Sequence, residues 1–266
     1  MALHALWLVA KICALSALLL SAETIAVRSH YRDDGIFSWA VSKWRLRSRP
    51  LIMGLPQVDI LFSRPGVVML NVLRMAGALM LVAGPETRAV LWSGCAVIAA
   101  TSHILTARGT DGRNGADQMV CIVYTAITIG LISPGPLAPA VVLAFLTGQL
   151  LLAYVTSGAL KARERGWWDG NYLLFVLRTR SYGHRGAWAV CRRWPSLSAV
   201  ASALVVILEC SFPLTLVLPS PLREWVLAGG LTFHVANAIV IGLNSFTFTY
   251  VGLYPALLFV ASLLHR

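Results

Sequence analysis

Charge is scarce in this sequence. Asp, Glu, Lys and Arg make up 12% of the 266 residues, against 58% hydrophobic ones. That balance excludes a soluble globular domain, which would lack the polar surface to cover itself. Acidic groups are the scarcest, 11 against 22 Lys and Arg, for a formal net charge of +11. Cysteine is sparse and scattered: Cys13, Cys95, Cys121, Cys191 and Cys210 include no Cys-x-x-Cys. This argues against a thiol–disulfide enzyme coupled to quinone, because electron exchange there needs a close cysteine pair. Most of the five read as small apolar fillers. Cys191 stands beside Arg192 and Arg193, where a thiolate would be favoured, but a silent cysteine is the simpler reading. Long polar linkers, low-complexity tracts and solenoid repeats are lacking too, so residues 1–266 read as a single integral membrane domain.

What is present is a series of apolar runs, each near the length of about 20 residues that a bilayer-spanning helix needs. They predict an all-α polytopic bundle of about eight transmembrane helices, at about 5–27, 66–83, 88–107, 117–133, 138–160, 197–217, 224–243 and 246–264. The loops alternate in charge: about 17 basic residues fall at 28–65, 108–116 and 161–196, against Arg88, Arg223 and Arg266 in the opposite set. The excess charge thus reports topology and contact with anionic headgroups rather than nucleic acid. The positive-inside rule makes the basic set cytoplasmic and both termini external. The run "ICALSALLLSAETIA" resembles a signal-peptide core. Met1 to Ala10 carry no Lys or Arg, however, and Arg28, Arg32, Lys43, Arg45, Arg47 and Arg49 follow, the reverse of a cleaved export signal. Two segments do not span. "IFSWAVSKWRLRSRP" and residues 163–194 mix Trp, Tyr and Phe with arginine, the composition of interfacial helices and aromatic belts.

Ionisable side chains within the apolar runs are few, and each costs about 2.5–3.5 kcal/mol on insertion scales. Lys11 and Arg74 have stems long enough to snorkel. Glu209, in "VVILECSFPL", does not, so it must carry a proton or pair with a cation, with Arg74, Lys161 and His234 as candidates. His234 follows Gly229 and Gly230, which would let another helix approach closely, and Asn237 lies on its face three residues on. A histidine that merely ties helices together would look the same. In "YVTSGALK", Tyr154, Ser157, Gly158 and Lys161 form one small, polar stripe on an apolar rod. A lysine facing into a bundle along such a stripe would be partly desolvated, the setting in which an amine can act as a base. The competing reading is an ordinary interface anchor.

"GQLLLAYVTSGALKARERGWWDG" resembles a helix of the vitamin K-dependent gamma-carboxylase and its bacterial relatives, the horizontally transferred transmembrane domain (HTTM) family. An aromatic, a small pair, a lysine, then Trp and Gly come in the same order. "FHVANAIVIGLNSFTFTYVGLYP" is similar to the family's later histidine and asparagine helix, and "GTDGRNGADQM" to the loop and helix start of short bacterial members. The resemblance implies Lys161 as a base toward a reduced quinone, with His234 and Glu209 in the same cavity. It implies Tyr154, Asp117, Asn237 and Trp168 as substrate-binding groups and calls for no metal. Gly115, Ala116 and Asp117 stand where the carboxylase has a histidine, and a counterpart to its large substrate-gripping region is not expected. Glutamate carboxylation is therefore not implied, only a membrane cavity and a quinol-like or peptide substrate. The charge pattern also puts Lys161 at the cytoplasmic end, whereas the carboxylase works toward the secretory lumen. The alternative is a non-catalytic maturation or interaction factor for an exported peptide. A transporter is disfavoured by the lack of an inverted repeat.

Overall fold

The computed structural model describes residues 1–45, 56–109, 115–133 and 135–265. Among them the regular structure is entirely helical, and eight helices have the length and composition of membrane spans: Ala2–Ala26, Arg64–Ala83, Arg88–Arg108, Gly115–Ile132, Ala138–Ala162, Pro195–Leu216, Ser220–Ile241 and Asn244–Leu264. These agree with the eight predicted runs to within a few residues. The chain is a multi-pass membrane protein of the all-α class. Its single stretch of sequence comprises two compact units, one of Ala10–Pro139 and the other of Met1–Val9 with Ala140–Arg266.

In the Ala10–Pro139 unit the second span packs on the third and the third on the fourth. Tyr124, fully buried, donates its hydroxyl to the Ala10 carbonyl at 2.9 Å, so its one polar atom is satisfied inside an apolar core. Arg88 reaches the Leu131 and Ser133 carbonyls at 3.0 and 2.9 Å, placing a cation on the exposed acceptors that end the fourth span. Lys11 does not snorkel to a headgroup; it pairs with Glu86 at 2.5 Å. Arg74 does not snorkel either. It is buried because Ser21 and Asn71 supply acceptors at 2.7 and 2.8 Å.

The first interfacial segment is a short helix, Trp39–Arg45, as far as the described residues extend; 46–55 lie outside them. Trp39 sits in a small core edge-on to Phe62 rather than in a lipid belt, and its indole N–H donates to Asp59 at 2.7 Å. Lys43 binds the same carboxylate at 2.7 and 2.8 Å. The hydrogen bond from Lys43, then that from Trp39, holds Asp59 below the usual carboxylate range.

In the other unit, proline and glycine shape the helix ends. The sixth span tightens from α-helix at Ser211 into a 3-10 turn, Phe212–Leu216, where Pro213 withholds a backbone donor. The seventh stops at Gly242, whose φ of +76° a side chain would strain, and Gly242 and Leu243 cap the Ala238 and Asn237 carbonyls. The eighth span breaks into Asn244–Val251 and Tyr254–Leu264 because the ring of Pro255 opposes the carbonyl four residues back.

Candidate functional site

Lys161 lies in the last turn of the fifth span and Glu209 near the end of the helical part of the sixth. Gly158 brings them together. A Cβ there would lie 2.8 Å from the Cys210 backbone nitrogen and 3.0 Å from the Glu209 carbonyl carbon, so the two helices touch backbone to backbone. Lys161 Nζ donates to Glu209 Oε2 at 2.7 Å, to Oε1 at 2.9 Å, and to Ser157 Oγ. Ser157 in turn donates to Glu209 Oε1 at 3.2 Å. The ammonium also stands 5.2 Å from the centre of the Trp167 ring, a cation–π distance. The lysine faces inward, with its side chain 18% exposed and that of Glu209 5%. Of the three candidate cations, Lys161 is the partner of Glu209.

About two turns from Lys161 on the same stripe is Tyr154. Its hydroxyl is 2.7 Å from His234 Nε2, and its ring stacks on Phe212 at 3.7 Å with 2° between planes. The hairpin closed at Gly242 lays Tyr250 over the His234 imidazole, centroids 5.1 Å apart, with Phe246 stacked beyond it. Gly230 makes room for this cluster: a Cβ there would press on the Tyr254 hydroxyl and come within 3.0 Å of Phe212 and 3.3 Å of the Tyr154 hydroxyl. Gly229 has a neighbour only at ordinary contact, Leu208 at 3.4 Å, so close approach belongs to Gly230 alone of that pair. His234 is 3% exposed, and its Nδ1 has no hydrogen-bond partner among the described residues.

These groups border one cavity of about 500 Å³. Lys161, Ser157 and Glu209 line it with Tyr154, His234 and Asn237, and its remaining wall is largely apolar. Of the residues singled out in the sequence, Lys161, Glu209, Tyr154, His234 and Asn237 meet here. Asp117 does not; it lines a separate cavity in the Ala10–Pro139 unit. Trp168 is not part of the wall. It is exposed and donates its indole N–H to the Ala162 carbonyl at 2.9 Å, while its neighbour Trp167 turns to the cavity.

Residues 163–194, read as a basic and aromatic belt, also build one side of the chamber. The short helices Asn171–Arg178 and Arg185–Arg193 present Leu173, Val176 and Leu177, and Ala187 and Cys191, to it. Spacings of three and four residues carried that signal, but the arginines and tryptophans around them pointed first to headgroups. Cys191 is a buried thiol in this wall, and burial raises it above its ordinary value, so the two adjacent arginines do not make it a thiolate. Tyr250 escaped sequence reasoning because its role depends on the turn at Gly242.

The arrangement can hold a flat, largely apolar molecule carrying one or two oxygens. The apolar wall suits the body of such a molecule, and the Lys161–Glu209 pair and the unpartnered His234 Nδ1 supply polar groups within reach of its oxygens. Among the described residues no three His, Cys, Asp or Glu side chains are grouped to hold a metal ion. Comparison with protein-family models, curated proteins and solved structures finds no match for this chain.

Proposed function

We propose that this chain is a bacterial-type inner-membrane enzyme of HTTM, gamma-carboxylase-like character, in which Lys161 removes a proton from a quinol-like substrate held in the cavity. The observation that carries the reading is the Lys161–Glu209 pair, 2.7 Å apart, lining a chamber with an apolar wall and an imidazole nitrogen that has no partner among the described residues. Transfer of one proton from the ammonium to the Glu209 carboxylate leaves a neutral amine and a neutral acid without changing net charge. The amine then accepts the hydroxyl proton of a bound quinol, giving a quinolate beside a restored ammonium. Tyr154 fixes the imidazole through Nε2, so that Nδ1 addresses the second oxygen whichever tautomer is present. A dry wall keeps water from competing with the base. The substrate is a reduced quinone, drawn from the bilayer that surrounds the spans.

A second reading is favoured by the closed geometry of the same pair: a satisfied ion pair can simply lock the fifth and sixth spans in a maturation factor that grips an exported peptide. Arginine separates the two, since it keeps the charge and cannot act as a base. The test is the saturable quenching of tryptophan fluorescence by duroquinol in nanodiscs, which reads binding, together with the ultraviolet absorbance change of the bound duroquinol, which reads its deprotonation. The enzymatic reading expects quinol binding in the wild type, and loss of quinol deprotonation in both Lys161→Ala and Lys161→Arg. No quinol binding, or full activity in Lys161→Arg, would sink it.

A further inference from the structure

The Ala10–Pro139 unit contains a cavity that the reaction above does not use. It measures about 160 Å³ and is bordered by Arg74, Ser102, Arg108 and Asp117, with Thr24 and Cys121. We infer that it is a second binding site, for a phosphate-type oxyanion, with Arg74, Arg108 and Ser102 as its donors.

The first support is charge. Arg74 and Arg108 are each 5% exposed, and a guanidinium stays protonated in proteins. Both are tied to neutral acceptors. Arg74 donates to Ser21 Oγ and Asn71 Oδ1. Arg108 donates from Nε to the Phe62 carbonyl at 2.8 Å and from Nη2 to the Phe37 carbonyl at 2.6 Å, with Tyr31 beneath it at 4.7 Å. Neither forms an ion pair with a described acid. Among the described residues, even with Asp117 counted wholly against them, two cations and one carboxylate leave a positive charge on the cavity lining.

Depth makes that charge costly. Arg74 lies about ten residues into its span, about 15 Å along the axis at 1.5 Å per residue. A cation so placed calls for a counter-charge, and a planar guanidinium matches phosphate oxygens in a two-point fork.

The third support is an unpartnered group. Ser102 is 3% exposed and lines the cavity, yet its hydroxyl has no hydrogen-bond partner among the described residues. Its neighbour Thr101 bonds back to the Val97 carbonyl at 2.7 Å, as a helical hydroxyl can. Ser102 does not, and its hydroxyl is left to donate a hydrogen bond to an oxyanion. The volume is several times a water's share of about 30 Å³ in the liquid, which suits a tetrahedral anion and leaves no room for an acyl chain. The phosphate thus comes either free or as a lipid headgroup whose chains stay outside.

The experiment uses the full chain in phosphatidylcholine nanodiscs. One arm follows the unfolding midpoint against inorganic phosphate, with chloride at equal ionic strength as the reference. The other replaces part of the lipid with phosphatidylglycerol and measures lipid retention by native mass spectrometry. A saturable rise with phosphate identifies the free anion, and selective retention of phosphatidylglycerol identifies the headgroup. In the responding arm Ser102→Ala weakens half-saturation roughly tenfold, the loss of one hydrogen bond to a charged group. Ser102→Leu, which fills the cavity with a membrane-compatible side chain, abolishes the response. No response in either arm, or a Ser102→Leu protein that responds as the wild type does, overturns the site.

Discussion

Lys161 shows what a single side chain does when an opposite charge replaces its water. Its three short contacts, two to Glu209 and one to Ser157, satisfy the ammonium in a place that is four-fifths closed. Glu209 is buried more deeply and has no other cation among its hydrogen-bond partners in the described residues. Removing the lysine alone therefore strands a buried carboxylate. Lys161→Ala is expected to destabilise the protein by about 3–5 kcal/mol, and Lys161→Ala with Glu209→Ala by much less, because the double variant leaves no orphaned charge. A double-mutant cycle on thermal unfolding in detergent checks this, and additive losses would show that the two do not interact. The lysine and the glutamate were both conspicuous in the sequence as charges in apolar runs. Their pairing was not, since three cations competed for Glu209 and nothing in one dimension ranks them.

At the scale of helices, the site depends on how closely the fifth and sixth spans approach. The closest point is Gly158, against the backbone of Glu209 and Cys210. Backbone cannot yield as a flexible side chain can, so a methyl group there must part the helices. Gly158→Ala is expected to cost about 1–3 kcal/mol and to lengthen the Lys161–Glu209 contact, reducing quinol binding while Ser102-dependent phosphate binding stays unchanged. Unfolding and both binding assays on one preparation test the prediction; a stable variant with unaltered quinol binding would contradict it. The spans themselves were legible from hydropathy and length, because lipid forces every backbone group to bond within its own helix. The chamber wall formed by residues 163–194 was not. Basic, aromatic helices of that composition suit a headgroup plane, and only packing turns Leu173, Val176 and Leu177 inward.

For the whole molecule, the asymmetry of basic residues among loops makes a claim about orientation. The segments at 28–65, 108–116 and 161–196 are expected to face the cytoplasm, with both termini of the eight-span chain external. A reporter fused after Arg266 should be active outside the cell, and one inserted between Arg178 and Arg185 inside. The opposite pattern would invert the topology and put the Lys161 end on the outer face. Arg223, one of the few basic residues of the sparse set, donates to the Thr215 and Leu218 carbonyls at 2.9 and 2.8 Å, and Arg88 caps the fourth span likewise. These two close helix ends rather than mark a side, which strengthens the contrast between the loop sets.

By itself the sequence determined the fold class, the eight crossings and the few ionisable groups within them, since hydropathy and length act locally and bilayer insertion reads them one segment at a time. Tertiary structure alone decided which groups meet. It set Lys161 on Glu209, Tyr154 on His234, and Trp167 in the wall where Trp168 had been expected. It also put Asp117 with Arg74 and Arg108 in a different cavity. Those outcomes turn on close approach at Gly158 and the reversal at Gly242, where a few ångströms between distant residues choose among pairings that sequence spacing leaves equal.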